Sequence, residues 1–173
     1  MAGCIYICYQ GVGKSSIANR STGYIDLESS RFRLTGGYRP TEWYKYYVSY
    51  AYGLAWQGYN VLVSSHKVVR DEVADQRHYR ESGYYYPMGN SQIKSFIVYP
   101  SLELKQPWIK KLHERFLMDG CHKNRVAYLN ALDRYTDNIL EMQEDAQRYE
   151  FEEIEIKSMD YNLKEVLDRT NQN

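Results

Sequence analysis

The residues best suited to chemistry lie together in the stretch Cys8-Tyr9-Gln10-Gly11-Val12-Gly13-Lys14-Ser15. It meets the phosphate-loop pattern G-x-x-x-x-G-K-[ST] at every specified position but the first, where Cys8 stands in place of glycine. A nucleoside triphosphate concentrates negative charge. A turn of inward-pointing backbone N–H groups at a helix N-terminus is a ready site for such an anion. Gly11 and Gly13 permit backbone geometry that a side chain would obstruct, and Val12 adds its amide between them. Lys14 then reaches the β- and γ-phosphates, Ser15 offers its hydroxyl to Mg²⁺, and Ser16 is placed for an α-phosphate contact. The plainer reading is a glycine turn that happens to precede Lys-Ser. Against it stand the apolar strand pattern before the loop and the helical pattern after it.

The elements that must position this loop can be read from periodicity. Residues 4–8 form an apolar run rich in β-formers that ends at the glycines, and 14–21 form a short helix. A second strand is predicted at 24–27 after Gly23. Pro40-Thr41 opens a helix with Thr41 as N-cap and an apolar face of Trp43, Tyr47, Tyr50, Ala51 and Leu54, closed by Gly58. A third strand at 60–64 precedes a charged helix at 66–80 stopped by Gly83, and a fourth strand at 93–99 is halted by Pro100. Pro107 starts a helix carrying Trp108, Leu112 and Phe116. After Asp119-Gly120 a long helix is marked by Val126, Leu129, Leu132, Tyr135 and Ile139, then come a fifth strand at 151–156 and a last helix with Leu163, Val166 and Leu167. Strands alternating with helices imply an α/β fold: a five-stranded parallel sheet with helices on both faces, whose ligands bind beyond the carboxyl ends of the strands.

Composition narrows the function classes. The 173 residues suit one domain, 1–173, and the 43% hydrophobic fraction is enough for one core. Lys plus Arg and Asp plus Glu both total 22, so the formal charge is zero, which argues against nucleic acid as the main partner. Cys4, Cys8 and Cys121 are odd in number and form no C-x-x-C pair, which favours a reducing, cytoplasmic setting over a disulfide or zinc framework. No signal-like leader is seen, and no run approaches the ~18 apolar residues of a membrane helix. Many of the 19 tyrosines fall at 44–52 and 84–86, where they either fill a core edge or line a base-stacking cleft.

On the loop near the N-terminus and the order of elements over most of the chain, the sequence resembles the nucleoside monophosphate kinase group of P-loop kinases. That group includes adenylate kinase-like and shikimate or gluconate kinase-like enzymes, and small kinase-like proteins of bacterial viruses are similar; for one of those the setting would be the host cytoplasm. The resemblance implies the three-layer P-loop NTPase fold with strand order 2-3-1-4-5. It also implies an acceptor-binding region at about 28–58 and a short lid at about 115–125. By the same resemblance Asp26, with Ser15, holds magnesium or orients the acceptor hydroxyl, and Glu28 binds the acceptor; the plainer reading has both carboxylates capping a turn. Arg70 grips an anionic group of the acceptor, and His66 is a base or a contact, or else structural. Arg115 and Arg125 close over the transferring phosphoryl group or belong to a solvated face.

Phosphoryl transfer depends on positioning and charge neutralisation more than on covalent chemistry. GTPase-type switches would show N-K-x-D and an apolar strand ending in D-x-x-G, and the sequence has neither. The expectation is a phosphotransferase using ATP or GTP with Mg²⁺, acting on a (deoxy)nucleoside monophosphate or nucleoside. A sugar or acid kinase and a catalytically idle nucleotide-binding interaction protein are the alternatives. The expected partners are a nucleotide donor and a small-molecule acceptor.

Overall fold

The computed structural model describes residues 2–20, 23–32, 40–81 and 93–170. Five strands, β1 (Ile5–Cys8), β2 (Tyr24–Asp26), β3 (Asn60–Ser64), β4 (Ser95–Pro100) and β5 (Glu152–Ile156), form one sheet. Between and after them run α1 (Lys14–Arg20), α2 (Trp43–Trp56), α3 (Lys67–Glu81), α4 (Lys105–Asp119), α5 (His122–Tyr149) and α6 (Leu163–Thr170). Short 3₁₀ turns occupy Ser29–Phe32 and Leu102–Leu104. Every strand pair is parallel, and the order across the sheet is β2-β3-β1-β4-β5.

β1 is central because both its neighbours are long apolar runs: Ile5 pairs with Val61 on one side and Ser95 on the other. Every residue of β1 and β4 is buried, as expected of strands covered on both faces. From β1 the chain leaves toward β2, whereas from β4 it leaves toward β5, so neighbouring connections diverge at the carboxyl end of the sheet. Such a divergence opens a crevice there. The sequence of elements therefore aims the turn after β1 and the helix after β4 at the same space.

Several expectations need correction. Thr41 is not the N-cap of α2; Glu42 occupies that position and makes no side-chain cap bond. The buried face of α2 is Tyr47, Val48, Ala51, Tyr52 and Ala55, while Tyr50 is 56% exposed. The reason is that α2 touches β1 and β3 and also α3, so two adjoining sides of the helix are covered. The tyrosines among them sit at the core edge with their hydroxyls satisfied: Tyr47 donates to Leu27 O (2.6 Å) and accepts from Ser64 N (2.9 Å), and Tyr52 donates to Val73 O (2.9 Å).

On α5, Val126, Leu129 and Leu132 are exposed and the buried stripe is Ala131, Tyr135, Ile139, Met142 and Ala146. Arg134 interrupts the helical geometry (φ −132°, ψ 20°) after the last of the exposed set. β4 begins at Ser95 and takes in Pro100, which pairs in register with Ile156. Gly83 and the tyrosines at 84–86 lie outside the described residues, as do residues 33–39 of the expected acceptor region.

Candidate functional site

β1 carries the chain to Cys8, which is 1% exposed and lies level with Ser64 and Val98. The position where the loop pattern specifies glycine is therefore inside the strand. Burial, opposed weakly by Lys14, pushes the Cys8 thiol up to about 12. Beyond Tyr9, whose N–H donates to Val98 O at 2.8 Å, the chain turns through Gly11 (φ 85°) and Gly13 (φ 97°). Both values lie where glycine is strongly favoured. A Cβ on Gly11 would sit 2.9 Å from Leu112 Cδ2 and 3.2 Å from Trp108 Nε1, so α4 presses on the turn. The amides of Ser16 and Ile17 close onto Gly13 O at 3.1 and 3.2 Å and start α1.

Two aromatic side chains hold carbonyls of the turn, and one of them, Tyr161, also lines the cleft beside it. Trp108 Nε1 donates to Gln10 O at 3.0 Å, and the Tyr161 hydroxyl donates to Val12 O at 2.9 Å. Their rings are near-parallel, 6.2 Å apart and 13° from coplanar. Lys111 lies against both, its Nζ 4.5 Å from the Trp108 ring centroid and 5.1 Å from that of Tyr161, and it donates to Tyr161 Oη at 3.2 Å. Burial first, and the charge of Arg115 second, hold the Lys111 ammonium below the ordinary lysine range. Burial raises the Tyr161 phenol.

The turn forms one wall of a cleft of about 770 Å³. Its lining includes residues 10–17, Glu28, Lys111, Arg115, Lys123, Asn124 and part of the segment between β5 and α6. Lys14, Lys111, Arg115, Lys123 and Lys164 face it, against the single carboxylate of Glu28. Lys123 pairs with Glu28 and Lys164 with Asp168. Lys14, Lys111 and Arg115 have no carboxylate partner among the described residues. Burial raises the Glu28 carboxyl, but the bond and charge of Lys123, with Lys14 and Arg31, outweigh it and hold the group below its usual range.

Ser15 Oγ donates to Asp26 Oδ2 at 2.6 Å, which ties the start of α1 to the end of β2. Asp26 Oδ1 is buried with no hydrogen-bond partner among the described residues. Among those residues no three His, Cys, Asp or Glu side chains gather as a metal cluster. A hydroxyl beside a carboxylate is a set that Mg²⁺ accepts when phosphate oxygens and waters complete its shell, so the pair fits that ion together with a nucleotide.

Of the residues singled out by sequence, Gly11, Val12, Gly13, Lys14, Ser15, Ser16, Glu28 and Arg115 share the cleft, and Asp26 joins them through Ser15. Three others neither line it nor bond to a residue of the turn. Arg70 is 3% exposed and binds Asp145 through Nε and Ser65 O through Nη1. Its Nη2 lies 2.9 Å from Glu141 Oε2, too poorly aligned for a hydrogen bond, so that contact is electrostatic. With its guanidinium committed to α5, it is a tie between helices rather than an acceptor ligand. His66 is exposed just before α3 and meets the edge of Trp43, ring centroids 6.0 Å apart. Arg125 is exposed on α5.

The expected lid at 115–125 is the end of α4, a left-handed Gly120 (φ 60°) and the start of α5, a tight helical corner. The sequence reading missed Trp108, Lys111, Lys123, Tyr161 and Lys164. Trp108 gave only a core-helix signal, and the others are ordinary surface types until the fold assembles them. No protein-family model matches the chain, and no curated protein matches it either.

Proposed function

We propose that this chain is a nucleoside triphosphate-dependent phosphotransferase of the P-loop kinase type. The (deoxy)nucleoside monophosphates and nucleosides are its first candidate acceptors. The observation that carries the reading is one juxtaposition. The turn Gly11-Val12-Gly13-Lys14-Ser15 lies at the carboxyl end of the central strand and walls a cleft where Lys14, Lys111 and Arg115 have no carboxylate partner among the described residues. Cations without a salt bridge that converge on a partly enclosed space favour an anionic ligand, and the turn suits a polyphosphate.

In this reading the loop amides and Lys14 bind the phosphates, and Lys111 and Arg115 neutralise charge from the α4 side. Ser15 and Asp26 would hold Mg²⁺, which when bound supplies further charge neutralisation at the phosphate oxygens. Asp26, its Oδ1 without a hydrogen-bond partner among the described residues, orients the acceptor hydroxyl, and the Glu28–Lys123 pair faces the acceptor. The assignment to the three-layer P-loop NTPase fold belongs to the same proposal. So does a cytoplasmic setting; no helix among the described residues is long and apolar enough to cross a membrane.

The test is a coupled ADP-release assay with Mg-ATP or Mg-GTP against nucleosides, (deoxy)nucleoside monophosphates, sugars and hydroxy acids. Turnover stimulated by a base-bearing acceptor is the expected result, and stimulation by a sugar or acid alone would reassign the acceptor class. Lys14→Ala should lower turnover at least about a hundredfold, the scale of losing a charged transition-state contact, with the melting temperature little changed. Nucleotide binding without turnover on any acceptor would leave an idle binder, and no nucleotide binding at all would end the proposal.

A further inference from the structure

Resting on the phosphate-loop reading above, we infer that Tyr161 and Trp108 are positioning residues for that loop: by fixing the Val12 and Gln10 carbonyls, they turn the N–H groups of Gly13 and Gly11 the opposite way, toward the phosphates of a bound ligand. The peptide unit is planar, and in the trans form the C=O of one residue and the N–H of the next point in opposite directions. No cis peptide occurs among the described residues. The Gln10 carbonyl shares its plane with the Gly11 N–H, and the Val12 carbonyl shares its plane with the Gly13 N–H. Fixing either carbonyl against a wall thus fixes an amide facing away from that wall.

Both carbonyls are so fixed, by Trp108 Nε1 at 3.0 Å and Tyr161 Oη at 2.9 Å. Among the described residues no acceptor is matched to the N–H of Gly11 or of Gly13. Glycines at φ 85° and 97° can swing their planes readily, so the loop needs outside restraint to keep its donors converging. The chemistry of each restraint is one-directional. An indole N–H can only donate. A phenol has a single proton, and Lys111 Nζ already donates to the Tyr161 oxygen at 3.2 Å, so that proton goes to Val12 O. A flipped plane would turn a carbonyl oxygen toward the phosphates, where it repels them. The braces come from α4 and from the segment after β5, which places restraint of the loop on the far side of the sheet's switch point.

The test uses the isotope-labelled full chain, inorganic tripolyphosphate as probe, and Tyr161→Phe, which deletes one oxygen and keeps the ring. Trp108 is fully buried and its replacement can unfold the chain, so Tyr161 carries the experiment. In the wild type, tripolyphosphate should move the amide-proton resonances of both Gly11 and Gly13 downfield. In Tyr161→Phe the affinity should fall about fivefold, the scale of one lost hydrogen bond. The Gly13 response should shrink while that of Gly11 persists, and the melting temperature should change little. Wild-type affinity with a full Gly13 response in the variant would overturn the inference. Equal loss at both glycines alongside a lowered melting temperature would also overturn it, because the tyrosine would then be merely structural. If tripolyphosphate binds the wild type not at all, the phosphate-loop reading falls first and takes this one with it.

Discussion

Lys111 stands between two aromatic rings and next to Arg115, and both burial and that neighbour favour its neutral form. Two pH effects of opposite sign follow. The folded chain binds the Lys111 proton less tightly than the unfolded chain, so this group raises ligand-free stability as pH climbs from its lowered folded pKa toward the ordinary 10.5. Phosphate affinity falls over the same climb, because only the ammonium attracts the anion. Lys111→Arg should abolish the alkaline fall in nucleotide affinity while retaining binding. Lys111→Met should weaken binding about tenfold or more at neutral pH, as expected for a hydrogen bond to a charged group; calorimetry across pH 7 to 10 checks both. Cys8, its thiol pushed up to about 12 by burial, stays protonated at neutral pH and is not a nucleophile.

The turn between β1 and α1 is the element on which the proposed nucleotide binding depends, and its two glycines carry different constraints. Gly11 is hemmed by Leu112 and Trp108, whereas a Cβ on Gly13 would meet nothing within 4 Å. Gly11→Ala should therefore lower stability by more than the ~1–2 kcal/mol of a left-handed residue, because α4 must also shift. Gly13→Ala meets the backbone strain alone, so its stability loss should be the smaller. Both glycines line the cleft, but only the Gly13 Cβ would project into open space, so its methyl should cost proportionally more in nucleotide affinity. Urea unfolding paired with calorimetric titration separates the two, and a larger stability loss for Gly13→Ala would contradict the geometry. The same press of α4 on the turn explains why the helix after β4 belongs to the site at all.

Across the whole molecule, the cleft lies between the connection from β1 and that from β4, and polar ties keep the flanking helices in place around it. The most enclosed is Arg70 with Asp145, side chains 3% and 5% exposed, joining α3 to α5. Removing one member of a buried pair strands the other charge, at about 3–5 kcal/mol. Arg70→Ala should therefore lower the free energy of unfolding by about that amount and leave the acceptor KM unchanged. A raised KM with normal stability would return Arg70 to the site. Lys67 extends this tie toward Asp71 and Asp145, and Tyr149 donates to Asp71 at 2.8 Å, so α3 and α5 are joined at several points.

The alternation of apolar runs with helical periodicity was enough to place all five strands and to locate the phosphate-like turn, because both signals are local: β-branched runs, glycines and a Lys-Ser pair act within a few residues. Element ends and buried faces were less legible. Tyr50 and Leu129 look apolar in sequence, yet which side of a helix is covered depends on how many neighbours it meets. The site divided in the same way. Gly11 through Ser16 were marked as candidates by spacing and Asp26 by the family resemblance, and the fold brings them to one cleft or beside it; Arg70, marked by the same resemblance, is held instead by Asp145, 75 residues away. Lys111, Trp108 and Tyr161 had no local mark of function. They meet the turn because β4 and β5 lie beside β1, and such convergence of distant segments is decided by the packing of the sheet.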